Sequence, residues 1–188
     1  YITGFTRVGD DQDCFLVKFS NSGNLVWQRI WDTPGDGLTK DWGFNVTTDV
    51  SGNVYVAGRQ ADTGDVRNTF VLKFSSTGSL NWQRIWGGPG WEIWGCGLAA
   101  DSNGNVYVTG STSSFGNYYE AYVIKIDSSG DLLQQRTWGS SSRENGYDLV
   151  LDGSGIPYIA GFAPNASGAW RNVNGTMTTP AGEISIPD

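Results

Sequence analysis

Short runs of Val, Ile, Tyr and Phe alternate along this chain with clusters of Gly, Ser, Asp and Asn. VYVAG at 54–58, FVLKF at 70–74 and VYVTG at 106–110 are typical. Their period is two, their length suits strands, and the residues between them suit tight turns. No apolar stripe of helical spacing is long enough to compete. The pattern predicts an all-β chain.

The runs also repeat. VKFSNSGNLVWQRIW at 17–31 returns as LKFSSTGSLNWQRIW at 72–86 and as IKIDSSGDLLQQRTW at 124–138. A second series is YITG, NVYVAG, NVYVTG and PYIAG; its final glycines, Gly4, Gly58, Gly110 and Gly161, lie 54, 52 and 51 residues apart. A period of about 40–50 residues built from β segments is the mark of propeller blades. Each period divides into four strands. The first is expected at 44–49, 96–101 and 147–152, the second on the glycine series, the third at 15–19, 70–74 and 122–126, and the fourth at 25–31, 80–86 and 132–138. Asp-x-x-Gly or Ser-x-x-Gly joins strands one to two and three to four, with glycine supplying the positive φ of a tight hairpin.

DSNGNVYVTG at 101–110, followed by AYVIKIDSSGDL at 121–132, resembles the SBBP-type β-propeller repeat and, more distantly, NHL repeats. The resemblance extends from Tyr1 to about Phe162. It implies a module of secreted or cell-surface proteins without an assigned activity, and so speaks for fold and location more than for function.

The expected architecture is therefore a partial β-propeller of four-stranded antiparallel blades, about three and a half in number. A blade-1 remainder covers 1–31, blade 2 covers 44–86, blade 3 covers 96–138, a partial blade 4 covers 147–162, and 163–188 form an irregular tail. The chain opens inside a blade and too few blades are present to close a ring. Further sequence is expected beyond both ends, or copies that associate over the open strand edges.

Charge narrows the partners. The formal charge of −7 and pI near 4.4 argue against nucleic acid, and no apolar run approaches a membrane span. With no His in the chain, the commonest general base and transition-metal ligand is missing. Cys14 and Cys96 fall in non-equivalent strands, so no disulfide is expected.

Spacing selects one face. The hairpins within a blade have fixed lengths, whereas the connections from strand two to three and from strand four to the next blade vary; variable loops are where function gathers. Those loops hold six of the seven net negative charges, together with Trp42, Trp91, Trp94, Phe115, Tyr118 and Tyr119. An acidic, aromatic surface suits a glycan or a cationic protein segment. Asp41, Glu92 and Glu144 precede successive first strands and would ring a channel mouth, where a carbohydrate-active enzyme would need paired carboxylates. No catalytic motif accompanies them, and no cofactor is implied. Asp10, Asp11 and Asp13 are the candidate calcium ligands. Asp49, Asp101 and Asp152 read as turn caps. Lys18, Lys73 and Lys125, Arg29, Arg84 and Arg136, and Trp31, Trp86 and Trp138 recur once per blade, so they are expected to serve the blade itself. The reading is a non-catalytic extracellular or envelope module that acts as scaffold or protein-interaction surface, with glycan binding as the alternative.

Overall fold

In the computed structural model the described residues are 1–33, 39–61, 64, 66–164, 168–179 and 183–185, less the side chains of Val8, 93–96 and 183–185. Among them every regular element is a strand. Unit 1 comprises β1 (Ile2–Val8), β2 (Asp11–Phe19) and β3 (Leu25–Asp32). Unit 2 is β4 (Lys40–Thr48), β5 (Val54–Ala61), β6 (Arg67–Phe74) and β7 (Leu80–Gly87). Unit 3 is β8 (Glu92–Ala100), β9 (Val106–Thr112), β10 (Glu120–Ile126) and β11 (Leu132–Gly139). Unit 4 holds β12 (Asn145–Leu151) and β13 (Pro157–Phe162). Sequential strands pair antiparallel within each unit.

The hairpins at 20–24, 49–53, 75–79, 101–105, 127–131 and 152–156 share one turn. In each, a residue's N–H bonds the carbonyl four positions on, and a glycine N–H bonds back three, as at Asp101 N to Asn105 O (2.9 Å) and Gly104 N to Asp101 O (3.0 Å). Gly104 sits at φ 76°, as the left-handed turn requires. The Asp caps form as expected: Asp101 Oδ1 accepts the N–H groups of Asn103 and Asn105, both at 2.9 Å.

The first strands begin earlier than the sequence pattern indicates, taking in residues expected as loop. A bulge lies between Gly43 and Asn45, between Ile93 and Gly97, and between Gly146 and Asp148. In β4 and β12 one extra residue reverses the inward–outward alternation, so the upstream half of the strand is out of phase with the half that the pattern revealed.

Unit 2 is buried on both faces. Val54, Val56, Phe70, Leu72 and Phe74 join Cys14, Leu16 and Trp31 of unit 1 in one core cluster. Tyr55, Ala57, Val71, Trp82 and Trp86 turn the other way, into a second cluster with Leu98, Val106, Val108, Tyr122, Ile124 and Ile126 of unit 3. Successive units thus stack sheet on sheet, and strands buried on both faces read as continuous apolar runs. The first strands of units 2, 3 and 4 neighbour one another, β8 packing on β4 and β12 on β8, while β4 packs on β1, the second-strand element of unit 1.

The tail, expected to be irregular, contains three short strands. β14 (Ala169–Asn172) pairs with β11, β15 (Thr176–Thr178) with β7, and β16 (Glu183–Ser185) with β3, all antiparallel. The segment therefore runs back across the outer edges of units 3, 2 and 1 in turn. Three or four residues per contact are too few to show a period in sequence, and the exposed backbone edges of β3, β7 and β11 supply the pairing.

Candidate functional site

The residues repeated in every unit join one unit to the next. Lys18 Nζ and Trp27 Nε1 both donate to Ser76 O (3.1 and 3.3 Å), and Arg29 Nε donates to Gly78 O (2.7 Å). One unit on, Lys73 Nζ and Trp82 Nε1 donate to Ser128 O (2.8 and 3.0 Å), and Arg84 Nε to Gly130 O (2.7 Å). Each trio of Lys, Trp and Arg grips the backbone carbonyls of the following unit's turn. Deeper in, Trp31 Nε1 donates to Gln83 Oε1 (2.6 Å) and Trp86 Nε1 to Gln135 Oε1 (2.8 Å). The same indoles lie against the next unit's third-strand aromatic, Trp31 on Phe70 (4.6 Å between centroids) and Trp86 on Tyr122 (4.7 Å).

Asp41, Glu92 and Glu144 stand near the starts of the first strands and are all buried. Asp41 accepts the N–H and the hydroxyl of Thr33 (2.7 and 3.0 Å). Glu92 Oε1 takes the hydroxyls of Ser114 (2.6 Å) and Thr112 (3.0 Å). Glu144 accepts the Ser140 N–H at 3.1 Å and the Ser140 hydroxyl. These carboxylates fasten the loop beside them and do not line an open mouth. Burial raises Asp41 and Glu92 each to about 7, against the hydrogen bonds that favour their charged forms.

The aromatic candidates divide. Trp42 is enclosed, its indole N–H bonded to Gln12 Oε1 (2.6 Å), its ring stacked on Phe5 (5.4 Å) and covered by the Arg59 guanidinium (4.1 Å). Tyr119 is half-buried beneath Arg143, and Phe115 packs on Trp86. Trp91 and Tyr118 are open to solvent at 42% and 53%; the Arg67 guanidinium lies 4.6 Å from the Trp91 ring. The Trp94 side chain lies outside the described residues.

Of the acidic trio, Asp11 and Asp13 converge but Asp10 does not: it is exposed and faces Arg7 at 3.4 Å. Its place is taken by Asp32, from the end of β3. The three carboxylates offer oxygens within 4.8 Å of one another, a hard donor set that suits a dication such as calcium. The Thr39 hydroxyl bridges Asp32 (3.1 Å) and Asp11 (3.5 Å), while one oxygen of Asp13 is buried without a hydrogen-bond partner among the described residues. Burial, then the charges of Asp11 and Asp32, lift Asp13 to about 6. Superposing the repeats shows why Asp32 was overlooked. The matching positions are Gly87 and Gly139, where a Cβ would strike Asn68 and Glu120, the counterparts of Asp13.

Glu120 was also missed. Its carboxylate is buried and forms an ion pair with Arg171 of β14, so a tail residue satisfies a unit 3 charge. Cys14 is buried and free, its thiol pushed up to about 12 by burial.

Residues 81–119 match the family model described as SBBP, beta-propeller repeat. That stretch runs through β7, β8 and β9 to the residue before β10, and so holds Trp86, one side of the junction with Gln135 and Tyr122. No curated protein matches the chain. The matched stretch, set within units that share its strands and turns, identifies the chain as one that carries a β-propeller repeat of the SBBP type.

Proposed function

We propose that the chain is a partial β-propeller of about three and a half blades, a non-catalytic scaffold or protein-interaction module of an extracellular or envelope protein. One observation carries this reading. The polar residues that recur in register are spent on joining units, and the three candidate acids are buried and tied to their own loops. What varies between repeats is the loop surface, and variable loops on a rigid repeat frame are how such modules meet partners.

Glycan binding is the second reading, supported by Trp91, whose ring is exposed beside Arg67 in a variable loop. A glycan array and a polysaccharide-hydrolysis screen test both. The first reading expects silence on the array and no turnover. Saturable glycan binding abolished by Trp91→Ala transfers the assignment to the second, and sustained turnover of any polysaccharide overturns the non-catalytic reading.

A further inference from the structure

The outer edge of β13 pairs with no strand among the described residues, and the groups that in other units grip a following hairpin stand ready beside it. In units 1 to 3 the third-strand lysine lies over the second-strand tyrosine: Lys18 on Tyr1 (5.5 Å), Lys73 on Tyr55 (5.3 Å) and Lys125 on Tyr107 (4.9 Å). The unit 4 counterpart is Tyr158, in PYIAG. It is 58% exposed, where Tyr55 and Tyr107 are 0% and 6%.

The trailing face of unit 3 is unengaged in the same register. Lys125 has no turn carbonyl to donate to and Trp138 no glutamine among the described residues, although Lys73 and Trp86 each have theirs. Arg136 Nε, whose equivalents bind Gly78 O and Gly130 O, meets no turn carbonyl among the described residues; it donates to the Asn172 side chain of the tail (3.2 Å) and to the amide oxygen of Gln134 on its own strand (3.0 Å). Two grooves mark the place. One of about 320 Å³ is lined by Lys125, Gln134, Arg136 and Tyr107. The other, about 290 Å³, lies along Trp138 where Phe70 and Tyr122 meet Trp31 and Trp86 in the filled junctions. Tyr147, Val150, Ile156 and Phe162 leave the rest of unit 4 apolar and exposed.

The geometry points to a β-hairpin-binding site on β13 and the trailing face of unit 3, specific for a partner polypeptide that presents the repeat's own third-and-fourth-strand signature. Its third strand adds to β13 by backbone pairing. Its aromatic residue fills the groove along Trp138, and its lysine lies over Tyr158. The carbonyls of its Ser-x-x-Gly or Asp-x-x-Gly turn accept from Lys125 and Arg136, and the glutamine of its Gln-Arg-x-Trp accepts the Trp138 indole N–H. A second copy of this chain is a poorer occupant. The hairpin it has to offer, β2–β3, is already paired to β1 over seven residues, with Lys18 on Tyr1. This inference deepens the scaffold reading and rests on it for the kind of partner; its test is independent of the glycan and turnover assays.

The probe is a labelled synthetic peptide spanning residues 67–88, the unit 2 hairpin, titrated into the full chain and followed by anisotropy. Saturable binding is expected, roughly tenfold weaker for Trp138→Phe protein and for peptide carrying Gln83→Ala, the loss of one hydrogen bond at a buried site. Combining the two changes is expected to weaken binding no further than either alone, because they remove the same bond. Tyr158→Ala is expected to weaken the native peptide but not one carrying Lys73→Ala. Equal binding of a scrambled peptide, no binding at all, or additive losses in the Trp138–Gln83 cycle overturn the proposal. The peptide-side changes leave the protein intact, so misfolding of a variant does not decide the outcome. Sedimentation that shows a dimer dispersed by the peptide would give the site to a second copy and overturn the choice of partner.

Discussion

The indole N–H of Trp31 donates to Gln83 Oε1 at 2.6 Å, although the two residues lie 52 positions apart, on the fourth strands of successive units. Trp86 and Gln135 restate the bond one unit later at 2.8 Å. It couples adjacent sheets through a buried polar pair inside an otherwise apolar contact, and so fixes the register of one unit on the next. Apolar area alone holds two sheets together without specifying that register.

Trp31→Phe keeps most of the packing on Phe70 but leaves Gln83 Oε1 without that donor. The expected cost is about 1–3 kcal/mol, the penalty for an orphaned buried acceptor. Adding Gln83→Leu removes the orphan, and the double variant is expected to recover part of that loss. Urea unfolding of the two single variants and the double variant measures the coupling; strict additivity would show that the bond contributes nothing to stability.

Much of this was legible in the sequence, because the same turn and the same strand pattern occur several times. Three parts were not, each for a physical reason. The bulge beside Gly43 reversed the alternation in β4 and the irregularity between Ile93 and Gly97 interrupted it in β8, so Asp41 and Glu92 read as loop residues when they are buried strand residues. Asp32 stands where the other repeats have glycine, and only its approach to Asp11 and Asp13 in space makes it part of a cluster. The tail pairs through backbone edges, which leave no side-chain signature at all.

Three carboxylates held above their free values set an unusual pH dependence. Asp13, Asp41 and Glu92 have folded values of about 6, 7 and 7, above the 3.8 and 4.5 of free side chains. A folded state that holds protons more tightly than the unfolded one loses stability as pH rises. From these groups, stability is expected to be greatest below about pH 4, to fall between pH 4 and 7, and to level off above. Asp49 acts in the opposite sense. Burial opposes its ionisation, but bonds from Asn53, Tyr55 and Ser51 outweigh that and hold it low, so its contribution is lost only in stronger acid. Asp32→Asn removes one of the charges that raise Asp13 and Asp41. It is expected to raise the melting temperature at pH 8 and leave it unchanged at pH 4. An unchanged melting temperature at pH 8 would remove the cluster as the cause.

Gly58 illustrates why the second-strand series ends in glycine. An added Cβ would drive into the Trp42 carbonyl oxygen and the Phe70 ring. Neither has room to move, since Phe70 is fully buried against Trp31 and Trp42 lies in the paired β4. Gly58→Ala is expected to cost roughly 1–3 kcal/mol or more, the range for overpacking a close-packed site. Gly153→Ala, where a Cβ meets nothing, is expected to be near neutral. Chemical denaturation of the two alanine variants compares them directly.

The tail is held to unit 3 by the ion pair between Arg171 and Glu120 as well as by the β14–β11 pairing. Glu120 is buried, and its second carboxylate oxygen has no partner among the described residues, so Arg171 carries most of its compensation. Arg171→Ala strands a buried carboxylate, which then either takes up a proton or drives the segment open. The β14 pairing has only four residues to resist that opening. Limited proteolysis at neutral pH is therefore expected to cleave 163–175 faster in Arg171→Ala than in the parent chain, while cleavage within units 2 and 3 stays slow. Glu120→Gln in the same background removes the stranded charge and is expected to restore much of the protection. Protection that Arg171→Ala leaves unchanged would mean that backbone pairing alone holds the tail.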